Sequence, residues 1–109
     1  MDQKALLALL EERKFKELKE ELGNMYPVDI AELLEEVDER QMILIFRLLG
    51  KEEAAETFTD MSSETREFLI NALTDSELEE VMDEMYVDDT VDVLEEMPAN
   101  VVDRLLMAT

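Results

Sequence analysis

The chain has 109 residues and carries 30 Asp and Glu against 10 Lys and Arg, for a formal charge of −20; 47% of it is hydrophobic, and it has no Cys and no His. That length suits one domain, spanning 1–109, with enough apolar content to build a core without disulfides. The composition excludes thiolate chemistry, a thiolate zinc site and a histidine general base, and the charge argues against nucleic acid and anionic membrane surfaces as partners.

An acidic surface instead suits cations, a basic protein partner, or plain solubility. No run of 18 apolar residues is present, so no segment is expected to insert in a membrane. Met1-Asp2-Gln3-Lys4 opens no apolar signal segment, and the chain is expected to be cytosolic. It could still be the soluble part of a longer membrane protein.

Taken in chain order, apolar residues recur at helical spacings of 3 and 4. Leu6, Leu9 and Leu10 mark the first face. Pro27 suits a first helical turn, where a missing N–H is harmless, and Ile30, Leu33, Leu34 and Val37 follow on one face. Asp38 with Gln41 reads as a capping box, and Thr74 with Glu77 as another. Gly50 suits a helix end. Ser62 and Ser63 read as caps rather than nucleophiles, since no base is at hand to activate them. Leu78, Val81, Met82 and Met85 form a later face, and Pro98 opens another helix.

These faces superimpose when the sequence is shifted by about 24 residues. Leu6, Ile30, Ala54, Leu78 and Val102 make one column, and Leu10, Leu34, Phe58, Met82 and Leu106 a second. Leu9, Leu33, Val81 and Leu105 make a third, interrupted by Thr57. Leu22, Phe46, Ile70 and Leu94 align in the other half-unit, as do Met25, Leu49, Leu73 and Met97. A unit that cannot bury its own apolar face must stack on its neighbours. The expected fold is all-α: a right-handed superhelical solenoid of short antiparallel helix pairs, at least seven helices in all, with no sheet. Met42, Met61, Met82, Met85 and Met97 fall on or beside these columns and are read as core filling.

The search for catalytic chemistry is negative. No GxxxxGK[ST], GxSxG or HExxH is present, and Asp83–Asp92 lacks the glycine an EF-hand turn requires. Carboxylates remain. Glu35-Glu36, Glu79-Glu80, Asp88-Asp89 and Glu95-Glu96 lie away from the apolar columns, as solvated faces do. Asp88 and Asp92, four apart, share a helix face. Acids in a first turn also offset the helix dipole, which accounts for Asp88 better than for Asp92.

Three segments carry a resemblance. Tyr26-Pro27-Val28-Asp29-Ile30-Ala31-Glu32-Leu33-Leu34-Glu35-Glu36, Ala54-Ala55-Glu56 and Val87-Asp88-Asp89-Thr90-Val91-Asp92-Val93-Leu94 resemble, in order and spacing, the cytosolic N-terminal domain of the MgtE family of magnesium transporters. The similarity runs from about Leu6 to Leu106; Tyr26 stands where the family's opening motif has His.

The resemblance implies no enzyme but a magnesium-sensing regulatory domain at the cytoplasmic face of the cell membrane, within a homodimeric transporter. It places metal-binding carboxylates at Glu56, Asp88 and Asp92. They would be partial ligand sets for weakly held Mg2+, completed by CBS domains and a connecting helix beyond this chain. Ions bridging these surfaces would close the pore. The alternative is an acidic helical-repeat scaffold that grips a basic protein without any metal role.

Overall fold

The structure, a computed structural model, describes residues 2–85, 87–97, 99, 102 and 103, with only the backbone at 87–90. Among the described residues there are eight helices and no strand: α1 (Gln3–Glu11), α2 (Phe15–Gly23), α3 (Pro27–Glu36), α4 (Glu39–Leu48), α5 (Lys51–Asp60), α6 (Ser63–Ala72), α7 (Asp75–Asp83) and α8 (Val87–Glu96). Odd helices open at Gln3, Pro27, Lys51 and Asp75 and even ones at Phe15, Glu39, Ser63 and Val87, an even step of 24 residues in both series. Pro98, Leu105 and Leu106 lie outside the described residues.

Local chemistry sets the boundaries. Asp2 caps α1 by accepting from the Ala5 N–H at 2.8 Å. Pro27 occupies the first turn of α3. Asp38 accepts from the Gln41 N–H at 2.7 Å while Gln41 accepts from the Asp38 N–H at 3.2 Å, a complete capping box. Thr74 and Glu77 close a second box at α7, at 3.1 and 3.0 Å. Ser62 caps α6.

Gly50 follows the C-cap Leu49 at the end of α4, as expected, and is at the same time the N-cap of α5, extended at φ −66° rather than left-handed. The left-handed residue among those described is Arg13, at φ 59°. The Arg13 and Lys14 N–H groups donate to the Leu10 and Leu9 carbonyls at 3.1 and 2.9 Å, which closes α1 with a Schellman turn.

The apolar columns form the core. Leu6, Ile30, Ala54 and Leu78 are buried, as are Leu10, Leu34 and Phe58, with Met82 packed against them. Met42, Met61 and Met97 are buried and Met85 half-buried. α3 lies against α5 and α5 against α7, while α1 pairs with α2 and α3 with α4. The Phe46 and Phe58 rings meet edge-on at 6.2 Å. The result is elongated, 39 × 22 × 22 Å.

Polar clasps tie distant helices together. Glu11 at the end of α1 accepts from Arg40 at 2.6 Å and from Gln41 at 3.3 Å, at the start of α4. Glu35 at the end of α3 accepts from the Ser62 N–H at 2.9 Å, at the start of α6. Arg47 forks onto Glu77 at 3.0 and 3.2 Å. Arg66 grips Glu96 at 2.5 and 2.7 Å, joining α6 to α8.

Candidate functional site: two adjoining acidic clefts

Glu56 is exposed on α5 and lines an open cleft of about 610 Å³. Glu52, Glu56 and Asp60, four apart, run along one face of α5 into it. Tyr26 and Val28 from the start of α3, and Glu84 and Met85 after α7, form its other walls. The neighbouring Glu53 carboxyl is raised above the ordinary carboxylate value, first by burial and then by the charge of Glu56.

Asp92 is exposed on α8 and lines a second open cleft, of about 480 Å³, with Thr59, Arg66, Glu95 and Glu96. Arg66 is the cation of this cleft, with a side chain only 12% exposed. It binds Glu96 and donates to the Thr59 carbonyl at 3.3 Å, and Ser63 Oγ adds a bond to Glu96 at 3.0 Å. The Arg66 Nε is buried with no partner among the described residues.

Thr59 lines both clefts, so Glu56 and Asp92 border adjoining openings. The backbone of Asp88 lies in α8 one turn before Asp92; its side chain lies outside the described residues. Among the described residues no three acidic side chains group into a metal cluster.

The donors in both clefts are carboxylate, hydroxyl and carbonyl oxygens, and the chain holds no Cys or His. That set fits a hard cation such as Mg2+, which keeps several waters and takes one or two carboxylates from a surface; in the second cleft Arg66 already holds Glu96 and the Thr59 carbonyl, which leaves Asp92 and Glu95 as its open carboxylates. Sequence reasoning missed Arg66, Glu96 and Thr59. Arg66 and Glu96 are 30 residues apart, and only the stacking of α6 and α8 brings them together.

Among the described residues the fold is all-helical, and acidic side chains line its open clefts. The chain belongs to the family of the MgtE intracellular N domain, whose model matches residues 25–109. The match begins just after α2, whereas the resemblance read from residues began near Leu6. At the family level this is a regulatory domain of a magnesium transporter, in a family of transporters rather than enzymes. Comparison with curated proteins gives no match. No described helix is long and apolar enough to cross a membrane.

Proposed function

We propose that residues 1–109 form one magnesium-sensing unit of a longer transporter, at the cytoplasmic face of the cell membrane. The observation that carries this reading is the placement of Glu56 and Asp92 on adjoining, outward-open clefts that share Thr59. Open carboxylates with hard-oxygen neighbours suit ligand sets finished by another surface.

Glu56, Asp88 and Asp92 then supply partial sets, completed by CBS domains and a connecting helix of the same transporter, which acts as a homodimer. The even 24-residue step of the helix starts, with α3, α5 and α7 in a row, supports a right-handed superhelical solenoid as the frame that presents them.

Bound magnesium supplies positive charge between two acidic surfaces. Without it, the carboxylates on this domain repel an acidic neighbour, and the domain stands away from it. With both surfaces ligated, the docked arrangement gains stability in proportion to its greater affinity for the ion. The docked state closes the pore. In the isolated chain each set is partial, so affinity is on the order of millimolar or weaker, about 4 kcal/mol or less.

The test is transport activity of the full-length protein against cytosolic magnesium, wild type beside Asp88→Ala/Asp92→Ala. Losing both carboxylates also relieves a local repulsion of about 0.7 kcal/mol for charges 6 Å apart in water, which is smaller than the loss of a coordinating group. The double variant is expected to need more magnesium for closure. Superimposable closure curves would overturn the assignment.

A further inference from the structure

We propose that the Tyr26–Glu56–Met85 cleft is a docking site for a basic amphipathic helix of a protein partner. The four large hydrophobic residues left exposed among those described are Phe15, Tyr26, Val28 and Val91. Two of them stand at this one cleft, Tyr26 at 75% exposure and Val28 at 51%, and the half-buried Met85 faces the same opening. Elsewhere among the described residues the apolar columns are buried or partly buried, so this concentration needs an account. Tyrosine and methionine at a cleft are side chains that interfaces favour.

Charge selects the occupant. Among the described residues, the charged side chains lining this cleft are all acidic: Glu52, Glu56, Asp60 and Glu84. Three other clefts each contain their own cation: Arg66 beside Asp92, Arg47 and Lys51 beside Glu77, and Arg13 and Arg40 beside Glu11. Among the described residues the Tyr26 cleft holds none, so a basic partner would complement its charge.

Glu52, Glu56 and Asp60 form a rail about 12 Å long, at 1.5 Å per residue. That rail matches lysines or arginines repeated along one side of a helix, while leucine-like side chains on the other side reach Tyr26, Val28 and Met85. A bare cation gains nothing from those apolar walls. A second copy of this chain would bring another −20 charges to the cleft, and an anionic membrane would be repelled. This inference goes beyond the magnesium reading and does not depend on it, although Glu56 belongs to both.

The experiment uses the whole chain, in EDTA and physiological salt, so that magnesium plays no part. The probe is a synthetic Lys/Leu amphipathic helix of about 18 residues bearing one Trp, some 27 Å long, followed by Trp fluorescence. A Lys/Ser peptide of equal charge and length serves as control. The Lys/Leu helix is expected to bind about tenfold or more tightly than the control.

Tyr26→Ser/Val28→Ser is expected to weaken it about tenfold. Serine is a better N-cap than tyrosine, so α3 is retained in this variant, as circular dichroism would verify. Glu52→Gln/Glu56→Gln/Asp60→Asn is expected to weaken binding at least as much. Glu12→Gln/Glu17→Gln/Glu20→Gln, an equal neutralisation on exposed positions around α2, is expected to change it by less than about twofold. Equal losses in the two triple variants would reduce the binding to diffuse charge and overturn the proposal. So would unaltered binding in the Tyr26 and Val28 double variant.

Discussion

At the scale of single residues, Thr57 is the plainest departure from the pattern around it. It sits in the column of Leu9, Leu33 and Val81, is fully buried, and its Oγ1 has no hydrogen-bond partner among the described residues. The interruption is visible in the sequence; its burial is not, because a surface threonine would break the column equally well. An unpartnered buried hydroxyl carries a desolvation penalty of about 1–3 kcal/mol. Valine has the same shape without that penalty. Thr57→Val is therefore expected to stabilise the chain by about 1 kcal/mol, read as a higher urea midpoint at unchanged slope. A lower midpoint would mean the hydroxyl does hold a partner in solution. The candidate ligands are less legible at this scale. Glu56, Asp88 and Asp92 differ in no local way from the chain's other acids, and only the family resemblance singled them out.

Between elements, legibility depends on range. Both capping boxes and the Pro27 start are written within four residues of sequence, and all three stand where the pattern put them. Gly50 marks the end of α4 as read, but its second role as the N-cap of α5 was not legible, because α4 and α5 are separated only by Leu49 and Gly50. The clasps could not be read at all. Glu35 meets Ser62 across 27 residues, a distance in sequence that only the stacked helices close. The Ser62 hydroxyl and N–H hold the Glu35 carboxyl below its ordinary value. A carboxyl with a lowered folded-state pKa contributes stability that is present above its unfolded value and lost as pH falls through the folded one. Glu35 is exposed, so solvent screening limits that contribution to about 0.5 kcal/mol. Glu35→Gln keeps an acceptor oxygen and removes the charge. It is expected to be slightly less stable than wild type at neutral pH and equal to it once the pH lies below the folded Glu35 value. Paired urea titrations at the two pH values would check this, and a gap that persisted or widened in acid would contradict it.

Over the whole molecule, the all-helical class was legible because a helical spacing repeated down the chain leaves no alternating run for a strand. The clefts were not legible, because they open between helices that no local rule brings together. Net charge was legible from the start, and its consequence is global. Arg40, Arg47 and Arg66 pair with Glu11, Glu77 and Glu96, and acids still outnumber bases by 20 over the chain. At 0.01 M ionic strength the screening length is about 30 Å, comparable to the 39 Å length of the molecule, and most carboxylates repel one another. At 0.15 M it is about 8 Å, and only neighbours interact. Salt also weakens the ion pairs, but Arg40–Glu11 and Arg47–Glu77 are solvent-exposed and contribute only about 0–1 kcal/mol each, while the more buried Arg66–Glu96 pair is screened less. Repulsion among 20 excess charges acts through many more pairs and outweighs them. Raising sodium chloride from about 0.01 to 0.15 M is therefore expected to raise the melting temperature by several degrees, since about 1 kcal/mol corresponds to ~4–8 °C in a domain near this size. Magnesium chloride should reach the same stabilisation at lower concentration, as a divalent ion neutralises clustered carboxylates more effectively. Thermal unfolding followed by circular dichroism would decide it. A melting temperature that fell steadily with salt would show that the ion pairs, not the repulsion, dominate the electrostatics of the fold.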